Sequence, residues 1–147
     1  ATFWQAQIAR KHNVLSVKPH LISGNNLNQR ADDIVFTLEN NGLGPAMITS
    51  FAAVIDGVSY DFSSINHADE VNQLFSRLGI DLDGKHWSMK THDKNSAISA
   101  GSNEVILGFY KCLKDEESYN QLKHVLPRLK FHIKYQCMYG NEYDVNI

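Results

Sequence analysis

One short stretch, residues 38–46 with the sequence LENNGLGPA, constrains the fold of this chain more than any other. It lies between two apolar segments and combines most of the residue types that bend a backbone. Gly42 can supply positive φ, Gly44 lacks a Cβ, and Pro45 fixes its own φ and biases the residue before it toward extended geometry. The stretch predicts a corner between two strands, and a role as a presented loop stays open. Replacing Gly42 with Val is predicted to cost about 1–3 kcal/mol if the φ of Gly42 is positive.

The composition is that of an ordinary soluble globular protein. Of the 147 residues, 43% are hydrophobic, 10% aromatic and 20% charged, which excludes disordered and collagen-like classes. The formal net charge of −2 gives no argument for binding to nucleic acid or to an anionic membrane surface. No internal repeat or interior linker is visible, so residues 1–147 are predicted to form a single domain.

Alternation of apolar and polar residues predicts about eight short strands. The clearest covers residues 129–138, where apolar side chains occupy every second position. Asp56-Gly57 stands between two β-rich runs and is a strong signal for a two-residue hairpin turn. Residues 23–28, with the sequence SGNNLN, are predicted to be a loop. The other predicted strands are 14–21, 33–39, 47–55, 58–62, 96–100, 104–112 and 143–147.

Two segments change to the helical period. In residues 64–78 apolar side chains recur at i, i+3, i+4 and i+7 from Val71, and Gly79 follows as a natural cap. Residues 115–126 form the second predicted helix, which Pro127 ends. Short strands punctuated by turns, with two helices in the connections, favour a mainly β fold, namely an antiparallel β-sandwich.

The first residues predict a further short helix. Within residues 2–12, Trp4 and Ile8 share a helical face, and the basic cluster that begins at Arg10 suits the negative end of the helix dipole. Aromatic residues followed by basic ones are also typical of the exit of a membrane helix. No apolar run approaches the ~20 residues that span a bilayer. The chain opens at Ala1 rather than Met, so a surface helix and a helix continuing from a membrane anchor both stay open.

Three patterns together carry a resemblance to a known class of module. They are IxFxLxNxGxGPA at residues 34–46, SAGS at residues 99–102 and YxCxYG at residues 135–140. The first resembles the B–C corner of immunoglobulin-like modules, and the set is similar to uncharacterised bacterial domains that follow an N-terminal membrane helix. The resemblance implies an antiparallel Ig-like β-sandwich with two helices inserted in connections, at about 64–78 and 115–126. It also implies a membrane-anchored protein in a periplasmic or other extracytoplasmic setting, and it carries no catalytic residue.

Seven histidines raise the question of a metal site. The best local set is Asp81, Asp83, His86 and His92. His86 and His92 are six residues apart in a segment without visible period, so nothing orients them as tetrahedral zinc ligands. Asp81 and Asp83 match only the start of a calcium-binding loop. No metal site and no cofactor are predicted.

No motif nominates a catalytic residue, since the chain has neither a G-x-S-x-G elbow nor a glycine-rich phosphate loop. Whether the chain is an enzyme stays open, and the residues favour a non-catalytic protein. Cys137 shares the inward parity of its strand, where a thiol is usually inert. If strands 104–112 and 129–138 form a hairpin, Cys112 and Cys137 lie roughly 25 Å apart at ~3.3 Å per residue. Both thiols are therefore predicted to be free.

Aromatic side chains give the remaining signal for binding. Trp87 lies beside His86 in the polar, irregular segment 80–95, which also holds His92 and has room for one short strand. An exposed Trp is favoured in binding hot spots, although Trp87 could instead fold back over the end of the sandwich. Trp87, His86 and His92, with Tyr60 on a neighbouring strand, are the candidate binding residues.

Three functions stay open. The first is a non-catalytic extracytoplasmic module that binds or scaffolds a protein or small ligand, not nucleic acid, with an N-terminal membrane tether. It predicts exposed apolar area in the 38–46 corner or in the 85–92 loop. The second is a small-ligand or carbohydrate sensing domain that uses the 80–95 loop. The third is a metal-dependent hydrolase, for which the sequence nominates no ligand set.

Overall fold

The fold comes from a computed structural model that describes residues 2–27, 33–63, 68–83, 86–110 and 116–146. The helices and strands within those ranges follow in the order α1 (Phe3–Ser16), β1 (Leu21–Leu27), β2 (Ile34–Asn40), β3 (Ala46–Ile55), β4 (Val58–Asp61), α2 (Ala68–Leu78), β5 (His86–Met89), β6 (Ala97–Ile98), β7 (Asn103–Tyr110), α3 (Glu116–Val125), a 3₁₀ turn (Leu126–Arg128), β8 (Leu129–Gln136) and β9 (Glu142–Asn146).

The strands form two antiparallel sheets. The first has the order β1-β2-β7-β5 and the second the order β4-β3-β8-β9, with β6 paired to the start of β3. Every described strand pair is antiparallel. The prediction of a mainly β, antiparallel two-sheet fold is therefore confirmed.

One hydrophobic cluster joins the inner faces of the two sheets. Phe131 of β8 meets Phe36 of β2 edge to face, with ring centroids 6.0 Å apart, and meets Phe51 of β3 at 6.1 Å. Along β8 every second side chain is buried, as the alternation in residues 129–138 predicts. Each fully buried side chain of this size contributes about 1.5–3 kcal/mol. The inward face of β8 is thus the centre of the core.

The predicted hairpin turn at Asp56-Gly57 is confirmed. Both residues have positive φ, 50° and 82°, which matches the right-handed twist of the flanking strands. Ile55 pairs with Val58 directly across the turn. An ion pair from Arg128 lowers the pKa of the Asp56 carboxyl and ties the turn to the start of β8.

The two predicted inserted helices are present as α2 and α3. Residues 64–67 and 115, at their predicted starts, lie outside the described residues. α2 buries Leu74, Phe75 and Leu78 against the core, and it ends at Gly79, whose φ is +71°. Because Ile80 N donates to Phe75 O, at 3.0 Å, the helix end is closed by its own backbone.

Two predictions about the first 28 residues are wrong. The predicted strand 14–21 is wrong because α1 continues to Ser16, and Pro19 stands between the helix and β1. The predicted loop 23–28 is wrong because β1 covers most of it; residue 28 lies outside the described residues. Turn-forming residues such as Gly24 are overruled here by pairing with β2 along the full length of β1.

The assumption that the predicted strands 104–112 and 129–138 form a hairpin is also wrong. β7 belongs to the first sheet and β8 to the second, because the connection that carries α3 crosses between the sheets. Cys137 is a buried free thiol, and Cys112 lies outside the described residues. Among the helices that the structure describes, none is long and apolar enough to cross a bilayer.

Candidate functional site

β5, the edge strand of the first sheet, carries His86 and Trp87. The Trp87 ring meets Phe75 of α2 edge on, with centroids 5.4 Å apart, and the residue pairs with Phe109 of β7. Trp87 remains 36% exposed, and His86 is exposed beside it. Trp87 therefore covers part of the edge of the first sheet and remains partly in solvent.

Tyr60 lies on β4, the edge strand of the second sheet, and borders a shallow depression beside α2. The helix residues that line this depression are Asn72, Gln73, Ser76 and Arg77. Trp87 instead contacts α2 through Phe75, which points to the core. Tyr60 and Trp87 thus touch different faces of α2, and the fold does not bring them into one binding surface.

His92 is buried, with 6% of its surface exposed. Its ring lies 5.9 Å from that of Phe51, its Nε2 is 2.6 Å from Glu104 Oε2, and its Nδ1 is 3.4 Å from Ser96 Oγ. These are the residue types of a nucleophilic triad, but the contact between Ser96 and His92 is longer than a nucleophile–base hydrogen bond. The arrangement links the segment before β6 to β7 and leaves no His92 nitrogen free for a ligand.

Glu104 on β7 is the charged centre of this link. Its second oxygen, Oε1, accepts a hydrogen bond from Lys90 Nζ at 2.8 Å. Burial raises the pKa of the Glu104 carboxyl, but the hydrogen bonds from Lys90 and His92 outweigh burial, so the pKa lies below its ordinary value. The ionised carboxylate is therefore the stable form in the folded chain.

Glu104→Gln is expected to remove an acid-dependent part of the stability. Because the folded pKa is depressed, the ionised form contributes stability that is fully present above the ordinary value of 4.5 and is lost as the pH falls through the folded pKa. The difference in unfolding free energy between wild type and Glu104→Gln should shrink below that pH. Urea unfolding over a pH series measures it, with Glu142→Gln on exposed β9 as the matched control. A difference that stays constant with pH would contradict this account.

Asn40, the last residue of β2, is fully buried and lies at the centre of the corner. Its Oδ1 accepts hydrogen bonds from His20 N at 3.1 Å and Gly42 N at 3.0 Å. Its Nδ2 donates to Gly44 O at 2.9 Å and Ile98 O at 3.0 Å. Two acceptor and two donor positions are the full capacity of an Asn side chain. One side chain thus holds together β2, the corner, β6 and the residues that follow α1.

The two glycines of the corner are needed for close backbone approach. Neither Gly42 nor Gly44 has positive φ, so the condition on which the predicted cost of Gly42→Val depends is not met. A Cβ on Gly42 would meet the backbone of Lys18 and His20, and a Cβ on Gly44 would meet the carbonyl group of Val17. The corner therefore lies directly against the segment that joins α1 to β1.

Two backbone hydrogen bonds hold this contact. Leu43 N donates to Lys18 O and Asn41 N donates to His20 O, both at 2.9 Å. The Leu43 side chain points away from the contact and is 73% exposed. The exposed Leu43 side chain is therefore carried by a backbone segment that hydrogen bonds hold in place.

Two more exposed apolar side chains lie at the same end of the second sheet. Met47, next to the corner, pairs with Gln136 at the end of β8, and the turn after Gln136 carries Met138 and Tyr139. Met138 is 65% and Tyr139 56% exposed. Leu43, Met138 and Tyr139 are together called the corner surface below.

α1 also exposes apolar side chains. A capping box between Thr2 and Gln5 closes its first turn, and none of its residues is buried. The exposed large side chains of the helix are Phe3, Trp4, Ile8 and Leu15. The helical period of the sequence predicts the shared face of Trp4 and Ile8, but the helix that it predicts ends before Leu15.

The acidic and histidine residues of the 80–95 segment do not converge. Asp81 Oδ1 accepts from Asp83 N at 3.0 Å, which is a local turn, and His92 is engaged with Glu104. Nowhere in the described ranges do three His, Cys, Asp or Glu side chains stand close enough to hold a metal ion. Residues 84 and 85 lie outside those ranges.

Comparison with known proteins adds no relative: no family model, no curated protein and no solved structure matches the chain.

Proposed function

We propose that the protein is a non-catalytic, extracytoplasmic module that binds or scaffolds another protein and is held at a membrane by an N-terminal tether. The observation that carries this proposal is the corner surface, where Leu43, Met138 and Tyr139 are all more than half exposed. Exposed apolar side chains that lie at one end of a sheet are typical of protein contact sites, and aromatic residues are favoured in binding hot spots.

The rigidity of the corner supports a binding role. Leu43 stands between residues whose backbone groups are bonded to Asn40, Lys18 and His20. A partner that binds there would not have to order the backbone first, and so more of the contact energy would appear as affinity. A shallow depression beside Tyr60 and a half-covered Trp87 offer less to a small ligand, which usually needs a concave site.

The order of the strands supports an Ig-like sandwich. If β1, β2, β7 and β5 are taken as strands A, B, E and D, the first sheet has the order ABED. If β4, β3, β8 and β9 are taken as C′, C, F and G, the second has the order C′CFG. The 38–46 corner then carries the chain between the sheets, as a B–C connection does. The extracytoplasmic setting and the tether rest on the resemblance of that corner.

A photo-crosslinking residue placed at Leu43 is expected to give one discrete adduct in cells that express the chain. Purified wild-type protein should compete for the partner, and Leu43→Asp protein should compete about tenfold less well or worse, since a central apolar contact is worth about 2 kcal/mol. Adduct yield against competitor concentration measures the difference. Leu43 is mostly exposed, so the substitution should leave the fold intact.

Val58 provides the matched control. It is an exposed apolar residue on the hairpin at the far end of β3, roughly 30 Å from the corner at ~3.3 Å per residue. A crosslinker at Val58 should give no such adduct, and Val58→Asp protein should compete like wild type. An adduct that forms equally from both positions, or none from Leu43, would overturn the proposal.

A further inference from the structure

α1 differs from the other two helices in having no contact with the core. α2 and α3 bury side chains such as Phe75 and Leu122, whereas no residue of α1 is buried. Fourteen residues at 1.5 Å each give a helix ~21 Å long that carries Trp4, Ile8 and Leu15 into solvent. Such a helix costs conformational entropy to order and gains nothing from the sandwich. A contact outside the two sheets would therefore stabilise the helix by burying its apolar side chains.

The charges of the chain are strongly segregated along the sequence. The first 31 residues hold Arg10, Lys11, Lys18 and Arg30 and no Asp or Glu. All 16 acidic residues come later, together with the other ten basic ones. The net charge of −2 is thus the sum of +4 from the first 31 residues, which include α1 and β1, and −6 (ten basic minus 16 acidic residues) from the rest. The overall charge is therefore a poor guide to what α1 contacts.

Lys11 lies within the apolar stripe of α1, and Arg10 lies at the flank of the helix, beside the exposed Phe3. At 100° per residue, Trp4, Ile8 and Leu15 fall within about 40° of one another, and Lys11 lies in the same stripe. Trp4, Ile8, Arg10 and Lys11 border one shallow, open depression along the helix. Phe3, about 20° from Arg10 on the helix, widens the apolar face on that side. Opposite this wider face lie Ala6, Ala9, Asn13 and Ser16, which are small or uncharged polar residues. A helix that merely faced water would have no reason to keep its cations beside its apolar stripe.

We propose that α1 docks on the surface of an anionic lipid bilayer. Trp side chains prefer the level of the lipid headgroups, where apolar and polar surroundings meet. The long stem of Lys11 can run along the apolar stripe and that of Arg10 along Phe3, while their charged ends reach lipid phosphates and carboxylates. Trp4, Ile8 and Leu15 then lie between headgroups and acyl chains. The absence of any acidic side chain from the helix removes the repulsion that such a surface would otherwise exert.

Two other occupants fit the same face less well. A second copy of α1 would bring Lys11 and Arg10 against the cations of its partner, with no anion on either helix to pair with them. An acidic protein groove could satisfy the cations, but the row of anchors that it would bury, Trp4, Ile8, Lys11 and Leu15, has a cation at its i+7 position. The lipid surface matches the mixed cationic and apolar stripe directly. This inference is independent of the corner surface, and the two are tested by different variants.

Purified protein is expected to bind vesicles of phosphatidylcholine containing one third phosphatidylserine, and to bind vesicles of phosphatidylcholine alone at least about tenfold more weakly. Vesicle flotation at low and high salt measures both, and high salt should weaken the binding. Arg10→Glu combined with Lys11→Glu should reduce the partition into anionic vesicles by about tenfold or more. Because α1 has no buried residue, the thermal unfolding of this variant should match wild type.

The control pair is Lys130→Glu with Lys134→Glu, which makes the same change of charge on the exposed side of β8. It should leave vesicle binding nearly unchanged. In a Trp87→Phe background Trp4 is the only tryptophan, and its fluorescence should shift to the blue with anionic vesicles. The proposal is overturned if neither vesicle binds, if both bind alike, or if both charge-reversed pairs lose binding equally. A change in oligomeric state on α1 substitution without vesicle binding would likewise overturn it, in favour of a second copy.

Discussion

Asn40→Ala is expected to lower the free energy of unfolding by about 3–5 kcal/mol. The substitution removes the partner of four backbone groups, those of His20, Gly42, Gly44 and Ile98. Each buried polar group left without a partner costs about 1–3 kcal/mol. The total for the four groups should be less than four times that value, because the partly exposed corner can relax and let some of them reach water. Urea or thermal unfolding measures the loss, and Asn72→Ala on the exposed side of α2 serves as control.

A second substitution separates hydrogen bonding from loss of volume. Asn40→Asp keeps the shape and the acceptor side, but it turns the donor group into an oxygen that faces the carbonyls of Gly44 and Ile98. The new carboxyl should be protonated more readily in the folded state than in the unfolded state. Its penalty relative to wild type should therefore decrease as the pH falls. Equal stability of Asn40→Ala and Asn72→Ala would show that the corner does not depend on Asn40.

The sequence contained a signal for this role of Asn40. Ile34, Phe36 and Leu38 alternate inward along β2, and Asn40 is the next residue of the same parity. An Asn on the inward face of a strand must find hydrogen-bond partners, because an unpaired buried amide is costly. Parity therefore places Asn40 inside, but the identity of its partners depends on residues 20 and 58 positions away. Local pattern predicts burial and cannot predict such long-range partners.

The elements that sequence predicted well are those with local causes. The β8 alternation, the Asp56-Gly57 turn and the helical face of α2 each follow from the residues within the element. The loop predicted for residues 23–28 is instead mostly strand β1. Its Gly and Asn residues favour turns, but pairing with β2 holds the segment as a strand. The hairpin assumed for β7 and β8 is wrong for the same reason. The two strands belong to different sheets, and the assignment of strands to sheets depends on the whole chain.

The surroundings of the candidate binding residues also depend on residues far along the chain. The position of Trp87 at an edge of the fold agrees with its polar surroundings in the sequence. The hydrogen-bond partner of the buried His92 is Glu104, which lies 12 residues later on β7. The exposed apolar area expected in the 38–46 corner is present at Leu43 and, in the 85–92 loop, more weakly at Trp87. Composition could place apolar residues in loops, but only the fold decides which of them remain in solvent.

Gly44→Ala is expected to cost about 3 kcal/mol or more, because a Cβ there has no room. It would lie 2.7 Å from the Val17 carbonyl carbon, closer still to the oxygen, and 2.9 Å from Val17 Cα. Backbone cannot move aside as a flexible side chain can, so the corner and the segment after α1 must separate. The hydrogen bond from Leu43 N to Lys18 O would be lost with that movement. Chemical denaturation and hydrogen exchange of the Leu43 amide measure the two effects.

Gly140→Ala separates crowding from backbone conformation. Gly140 has a φ of +82°, and a Cβ added there would meet no atom within 4 Å, so Ala introduces only the strain of positive φ, about 1 kcal/mol. Gly44 has the opposite combination, an ordinary φ and no space. If crowding governs the corner, Gly44→Ala is the more destabilising of the two and the only one that speeds exchange at Leu43. If Gly140→Ala costs as much as Gly44→Ala or more, crowding does not govern the corner. The close contact between residues 17–20 and the corner would then not be what holds the corner in place.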